Sequence, residues 1–283
     1  MKSKIYPRLK LVEGEARADF RIILNFCEVE EPDPRSIKWF RMLKGRIAFE
    51  GNSVYLNFPA YTIKIEKAGQ DLTILLPDVF ERVSLPESAL DLALMLALRD
   101  KGYLPLHASG GRLSRSVLFS GKSGSGKSTL IMRLAEIGGA VLSDDHVYIG
   151  REGGRASASS YNHDIYLRSE ASQINLDKEV VSIDESSGGT ALDTMIPEVL
   201  IFPGFADIDL PQIKKIDTPD ALMRAIPLTL PLRSQNDISM MNMLCSQCEV
   251  YKLNLPATAE RPEEIKILLK KLLDGGLKTP LPV

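Results

Sequence analysis

Cysteine is scarce in this 283-residue chain: Cys27, Cys245 and Cys248 are the full set, too few for a disulfide framework. Cys245-Ser-Gln-Cys248 is a lone C-x-x-C, and a tetrahedral metal site would need two further ligands that the sequence does not bring near it. Both thiols are therefore expected to be structural, since free cysteine is among the most often buried residue types. Long apolar runs are missing as well. The longest, residues 89–98, is interrupted by Asp91 and falls short of the roughly 20 residues that span a bilayer, so it reads as a buried helix and no membrane partner is expected. The start, Met1-Lys2-Ser3-Lys4-Ile5-Tyr6-Pro7, lacks the basic, apolar and small-residue pattern of a targeting segment, and the expected location is cytoplasmic. A formal net charge of -2 supplies no overall basic field, which argues against nucleic acid as the main partner. Internal repeats and low-complexity tracts are lacking too. A homo-oligomer is allowed but not indicated.

What is present is a globular composition, 44% hydrophobic and 25% charged, with length for one large or two ordinary domains. Up to about Leu85 the chain reads as strand-rich. Runs at 20–26, 46–49, 54–58, 61–65 and 72–76 are separated by turn signals such as Glu50-Gly51-Asn52 and Ala68-Gly69-Gln70. Near Pro86 the pattern changes: residues 87–100 form an apolar helix that Gly102 ends, and residues 262–273 form another that Gly275-Gly276 ends. Between them the chain reads as strand, glycine-rich loop, helix and strand, then a mixed strand and loop region, an alternation that argues for a core with helices packed on a central sheet. The expected organisation is a small β-rich N-terminal domain over 1–85 and an α/β nucleotide-binding domain over 86–283.

Gly121-Lys-Ser-Gly-Ser-Gly126-Lys127-Ser128-Thr129 carries the most information. It fits G-x-x-x-x-G-K-[ST] and stands between an apolar strand, Val117-Leu118-Phe119, and a helical pattern with Leu130, Ile131, Leu134 and Ile137 on one face. In such a phosphate-binding loop, glycines let consecutive N–H groups turn inward to phosphate oxygens, and the following helix presents its positive end to the same anion. Gly121, Ser123, Gly124, Ser125 and Gly126 would form the cradle. Lys127 would reach the β/γ-phosphates, Ser128 would offer its hydroxyl to Mg²⁺, and Thr129 is the next hydroxyl along.

About seventeen residues after Lys127 comes Val141-Leu-Ser-Asp144-Asp145-His146-Val147, an apolar strand ending in two carboxylates. One can assist a metal and the other can accept a proton from an incoming hydroxyl. Side chains alternate along a strand, so adjacent carboxylates divide naturally between two directions; which takes which role is open. Ser186-Ser-Gly-Gly-Thr190 is only a fragment of the signature found in transport-type ATPases, and no strand ending Asp-Glu follows it, so residues 185–190 read as a loop.

His107-Ala-Ser109, a turn at Gly110-Gly111, the strand to Phe119, the loop, a short helix and Leu142-Ser-Asp-Asp-His-Val147 together resemble the catalytic domain of the HPr serine kinases. The resemblance is strong over about forty residues and beyond them is one of element order. It implies an α/β fold of the HPr kinase and phosphoenolpyruvate carboxykinase type, ATP and Mg²⁺ as cofactors, and phosphoryl transfer to a serine hydroxyl. By position it implies an active-site role for His107, nucleotide binding at 121–129, a base at Asp144 and a metal contact at Asp145. The Glu-Ile-Arg-Gly-type segment of the HPr kinases is not found, and the N-terminal region differs from theirs. The layout is more similar to HPr-kinase-like proteins of ribosomal peptide biosynthesis, including lasso-peptide tailoring kinases, which implies a peptide or protein serine as partner. A phosphocarrier protein, free serine, and a nucleotide-binding regulator without transferase activity are the alternatives.

The remaining candidates are weaker. His146 is expected to be exposed or to stand behind the acidic pair, and His163 lies in a polar stretch with Ser159, Ser160, Tyr161 and Asn162 suited to a substrate mouth. Arg168 and Arg233 are cations that would spread phosphoryl charge or simply be solvated. Lys122 should point outward and Lys214-Lys215 should be solvated. Met240-Met-Asn-Met243 suits either an adaptable groove or, by default, core packing.

Overall fold

The computed structural model describes residues 21–30, 32–33, 35, 37–41, 46–69, 71–77, 87–160, 165–168, 178–181, 190–229, 234–257 and 261–275. The chain divides into two compact units, Met1–Lys101 and Gly102–Val283. The apolar helix α1 (Glu87–Asp100) thus groups with the first unit, whereas the sequence placed it at the start of the second.

The first unit is a six-stranded sheet of β1 (Arg21–Phe26), β2 (Trp39–Arg41), β3 (Arg46–Glu50), β4 (Ser53–Phe58), β5 (Tyr61–Ala68) and β6 (Asp71–Leu76), in the order β1-β6-β5-β4-β3-β2. Consecutive strands from β2 to β6 pair antiparallel, and β1 closes the edge parallel to β6. In β6 Leu72, Ile74 and Leu76 are buried while their neighbours are less so, the period of two expected of a half-buried strand. The β3–β4 hairpin turns at Gly51 with φ +54, a conformation that suits glycine. Strand β2, only three residues long, was not legible; the other five were.

The second unit holds a nine-stranded sheet of β7 (Leu104–Arg112), β8 (Ser116–Ser120), β9 (Ala140–Ser143), β10 (His146–Glu152), β11 (Arg155–Ser159), β14 (Thr194–Met195), β15 (Val199–Ala206), β16 (Gln212–Lys215) and β17 (Glu249–Pro256). Their order is β14-β11-β10-β7-β8-β15-β17-β16, with β9 also paired to β7. Between β11 and β14, β12 (Ile165–Arg168) and β13 (Lys178–Val181) form a separate two-stranded ribbon. Strands β8, β15 and β17 run parallel. Their alternate side chains feed two cores. Val117, Phe119, Val199 and Ile201 pack with Leu130, Ile131 and Leu134 of α2 (Lys127–Glu136) and with Leu268, Leu269 and Leu272 of the C-terminal helix (Pro262–Leu273). Leu118, Leu200 and Phe202 pack with Ala221 and Ala225 of α3 (Thr218–Ala225) and Met240, Met241, Leu244 and Cys245 of α4 (Gln235–Gln247); the C-terminal helix is α5. Helices therefore cover both faces of the sheet, the α/β layering expected.

Two expectations are corrected here. Residues 216–248 contain α3 and α4, which the sequence reading left inside a mixed strand and loop region. Asp217 and Ser234 cap them, Ser234 in a reciprocal box with Asp237. Met240 and Met241 are buried in the core through α4, the packing expected of them by default. Gly110-Gly111 is not a turn: β7 runs straight through it, and the turn to β8 comes at Leu113–Arg115. A Cβ on Gly110 would stand 2.8 Å from Leu118 Cδ2, and one on Gly111 would stand 2.5 Å from the Ala140 carbonyl oxygen. The register to β9 also slips between the two glycines, so they serve close packing and a bulge rather than a chain reversal. Among the described residues no helix is long and apolar enough to cross a membrane.

Candidate functional site

The site is assembled by one long strand. Strand β7 pairs β8 on one edge, with Ala108 opposite Ser120, and on its other edge pairs β9 and then β10, with His107 opposite His146. The loop that leaves β8 and the Asp144-Asp145 bend between β9 and β10 are thereby brought to the same end of the sheet, with His107 between them. That end is the carboxyl end of the parallel strands, where open α/β sheets bind ligands.

The loop has the backbone its sequence demands. Gly124 and Gly126 have φ of +80 and +98, conformations costly for any residue with a Cβ. A Cβ on Gly121 would stand 2.5 Å from Ser125 Oγ, and one on Gly126 would stand 2.8 Å from Leu255. Gly126 caps α2 without a side chain, leaving the first-turn N–H groups facing the loop. Ser125 Oγ is buried with no hydrogen-bond partner among the described residues. A glycine-walled cradle, an orphan hydroxyl and a helix N-terminus fit a phosphate group. Ser123 and Thr129 are exposed and Ser128 half-buried, while Lys122 points outward as expected.

Lys127 is buried. Its Nζ donates to the Gly121 carbonyl at 2.9 Å, to the Lys122 carbonyl at 3.1 Å and to His107 Nε2 at 2.9 Å. An ammonium only donates, so Nε2 of His107 accepts and the ring hydrogen sits on Nδ1. That Nδ1–H faces the Asp145 carbonyl at 3.0 Å and Asp145 Oδ1 at 3.3 Å. His107 thus links the loop lysine to the acidic pair.

The two aspartates diverge. Asp144 is buried, and the fully buried Ser109 offers its hydroxyl to the Asp144 carbonyl at 2.7 Å and to Oδ1 at 2.9 Å. Asp145 is half-buried, with Oδ1 toward His107 and Oδ2 toward His146 Nδ1, each at 3.3 Å. Burial pushes the Asp145 carboxyl up, but hydrogen bonds from His107 and His146 together outweigh it and hold the group well below the usual carboxylate range. Hydroxyl and carboxylate oxygens, from Ser128 and the aspartates, are the donor chemistry a hard cation such as Mg²⁺ takes.

A groove of about 540 Å³ runs along the outer side of the loop, from Ser120–Ser125 to Phe202–Phe205 at the end of β15, Met223 and Arg224 of α3, and Lys252 of β17. Phe205 and Met223 are exposed there. His107, Asp144 and Asp145 are not part of its lining, so the groove and the acidic pair approach the loop separately.

No family model matches this chain, and no curated protein does. Among solved structures, an Hpr(Ser) kinase/phosphatase from Coxiella burnetii is similar at 14% identity and a TM-score of 0.37. The match covers 60% of this chain and 88% of that one, a likeness too loose to assign a family or a chemistry.

The structure thus gathers Lys127, His107, Asp144, Asp145 and the loop at one end of the sheet. Of the weaker candidates, Arg168 closes β12 and is described by its backbone alone, while Tyr161, Asn162, His163, residues 185–189 and Arg233 lie outside the described residues. Cys245 is in the core and Cys248 packs against it. One partner escaped sequence reasoning. Ser109 holds Asp144, and its place two residues after His107 on a strand was the available signal. His146, expected to be exposed or behind the acidic pair, is half-buried and shares Asp145 with His107.

Proposed function

We propose that the chain is an ATP-dependent kinase that transfers the γ-phosphoryl group to a serine hydroxyl, on a precursor peptide of the lasso-peptide type. The observation that carries this reading is the convergence, around His107, of a phosphate loop with its buried lysine and a pair of carboxylates in different environments. A loop alone suits any nucleotide-binding protein. A buried carboxylate held by a hydroxyl, beside a second one paired to histidines, adds what transfer to an alcohol requires.

The loop amides and the N-terminus of α2 bind and orient the phosphates. Lys127 exchanges its contacts to His107 and the two carbonyls for phosphate oxygens, spreading the charge that develops during transfer. Asp144 accepts the serine proton, with Ser109 fixing its carboxylate. Asp145, held ionised, and Ser128 would hold Mg²⁺, which when bound neutralises phosphate charge. The groove beside the loop takes the nucleoside, with Phe205 and Met223 offering apolar contact and Arg224 and Lys252 cationic edges; its volume is in the range of small-ligand sites. The serine and peptide assignments are carried by the sequence resemblance.

The test is transfer from γ-labelled ATP with Mg²⁺ to a panel of serine-containing peptides, a phosphocarrier protein and free serine, read by mass spectrometry. Phosphorylation of a peptide serine is expected. Modification of free serine or the carrier alone would reassign the acceptor, and ATP binding with no acceptor modified would replace the kinase with a nucleotide-binding regulator.

A further inference from the structure

The loop and acidic pair leave one cluster with more nitrogen than a magnesium site uses. One ring nitrogen of His107, one carboxylate oxygen of Asp145 and one ring nitrogen of His146 all lie within 4.8 Å of one another, and all three residues are half-buried, within reach of solvent. We propose that this triad is a binding site for a borderline divalent transition metal, Zn²⁺ being the best match, separate in chemistry from the magnesium of the proposed reaction.

The donor set is the first argument. Two imidazoles and one carboxylate suit zinc, cobalt or nickel, whereas Mg²⁺ takes oxygens and keeps its waters. The spacing is the second. Both His–Asp carboxylate contacts are 3.3 Å, and the His107 Nδ1–H also bonds the Asp145 carbonyl at 3.0 Å, a hydrogen bond that metal binding at Nδ1 would replace. Ligands held about 2.0–2.2 Å from one tetrahedral ion stand about 3.3–3.6 Å apart. Each ring thus has one carboxylate oxygen at ligand spacing, Oδ1 for His107 and Oδ2 for His146, and the ring centroids are 5.5 Å apart; modest rotation of the rings and the carboxylate completes the set. Preorganisation is the third. His107 and His146 are register partners on β7 and β10, and Ser120 and Ser143 hydroxyls hold their carbonyls at 3.2 and 2.8 Å. Three protein ligands leave further coordination positions open, as in metal sites that exchange water.

The site has a built-in opponent. A metal on His107 Nδ1 leaves the ring hydrogen on Nε2, where Lys127 now donates at 2.9 Å. Two donors cannot share that contact, so metal occupancy and the Lys127–His107 hydrogen bond exclude each other. Zinc at the triad would also take the carboxylate that the kinase reading gives to magnesium, and would act as an inhibitor there. The metal site itself does not depend on that reading.

The experiment uses the full chain without nucleotide. Zn²⁺ affinity is measured by competition with a chelating dye, and Co²⁺ coordination by visible absorption, for wild type, His146→Ala, Asp145→Asn and Lys127→Ala, each checked for folding by circular dichroism. The expected result is one zinc per chain and a cobalt d–d band without a thiolate charge-transfer band, which separates the triad from the three cysteines. His146→Ala and Asp145→Asn should each weaken zinc at least tenfold, and Lys127→Ala should tighten it severalfold. A wild type that binds no zinc, or zinc affinity unchanged in both His146→Ala and Asp145→Asn, would overturn the proposal; should one of these variants not fold, the other decides. Unchanged or weaker binding in a folded Lys127→Ala would overturn the exclusion between metal and lysine.

Discussion

Replacing Ser109 by alanine removes one oxygen from a fully buried position and leaves the rest of the strand intact. Its hydroxyl has a single proton, so the contacts of 2.7 and 2.9 Å to the Asp144 carbonyl and carboxylate share one donor and count as one hydrogen bond, not two. Hydrogen bonds to a charged group contribute about 1.5–3 kcal/mol, and an acceptor left buried carries its desolvation cost. Ser109→Ala should therefore lower unfolding free energy by about 1.5–3 kcal/mol, or about 3–12 °C in Tm for a unit of this size. Chemical denaturation with a constant slope is the assay. The partner is identified by repeating the substitution in an Asp144→Asn background: if Asp144 is what Ser109 stabilises, the second change should cost at least 1 kcal/mol less there than in wild type. A loss below about 0.5 kcal/mol in wild type, or equal losses in both backgrounds, would refute the assignment.

Gly111→Ala should destabilise the second unit by about 1–3 kcal/mol or more, because its Cβ would stand 2.5 Å from the Ala140 carbonyl and 2.7 Å from Leu134; a Tm within a degree of wild type would contradict that packing. Burial pushes the Cys245 and Cys248 thiols up to about 12. The folded-state values are raised, so their contribution to stability is complete below the unfolded thiol value near 8.5 and is lost as pH rises toward about 12. Denaturation midpoints should fall over that window, less steeply in a Cys245→Ala/Cys248→Ala variant, and both thiols should resist alkylation at pH 8 until the chain unfolds. Phe205→Ser, at the groove, should raise the Kd for ATP severalfold while leaving inorganic triphosphate binding unchanged; equal effects on both would remove the nucleoside from the groove.

Legibility in the sequence followed how local the determining physics is. The loop, α1, α5 and five of the six strands of the first sheet are set by residues close in the chain: glycine spacing, apolar periodicity and turn chemistry. The Asp pair was legible because a short helix returns the chain beside the loop. Gly110-Gly111 misled because paired glycines signal a turn locally, while here they answer to Leu118, Ala140 and Leu134, which come from other elements. Helix α4 was hidden by low amphipathic contrast: its ends carry the capping box, but Asn242, Ser246 and Gln247 interrupt a pattern that only the packed sheet makes decisive. The bridge from Lys127 through His107 to Asp145 and His146 depends on β7 holding β8 on one edge and β9 and β10 on the other, a pairing no local signal contains.

The most direct test of the account is a side-by-side measurement of Mg·ATP affinity and single-turnover phosphoryl transfer in wild type and Asp144→Asn. The two proteins should bind Mg·ATP within a few-fold of each other, with transfer reduced by at least the 10²–10⁴-fold that general-base catalysis supplies. Equal transfer by Asp144→Asn would contradict the role given to the buried carboxylate. Failure of wild type to bind Mg·ATP would contradict the site itself.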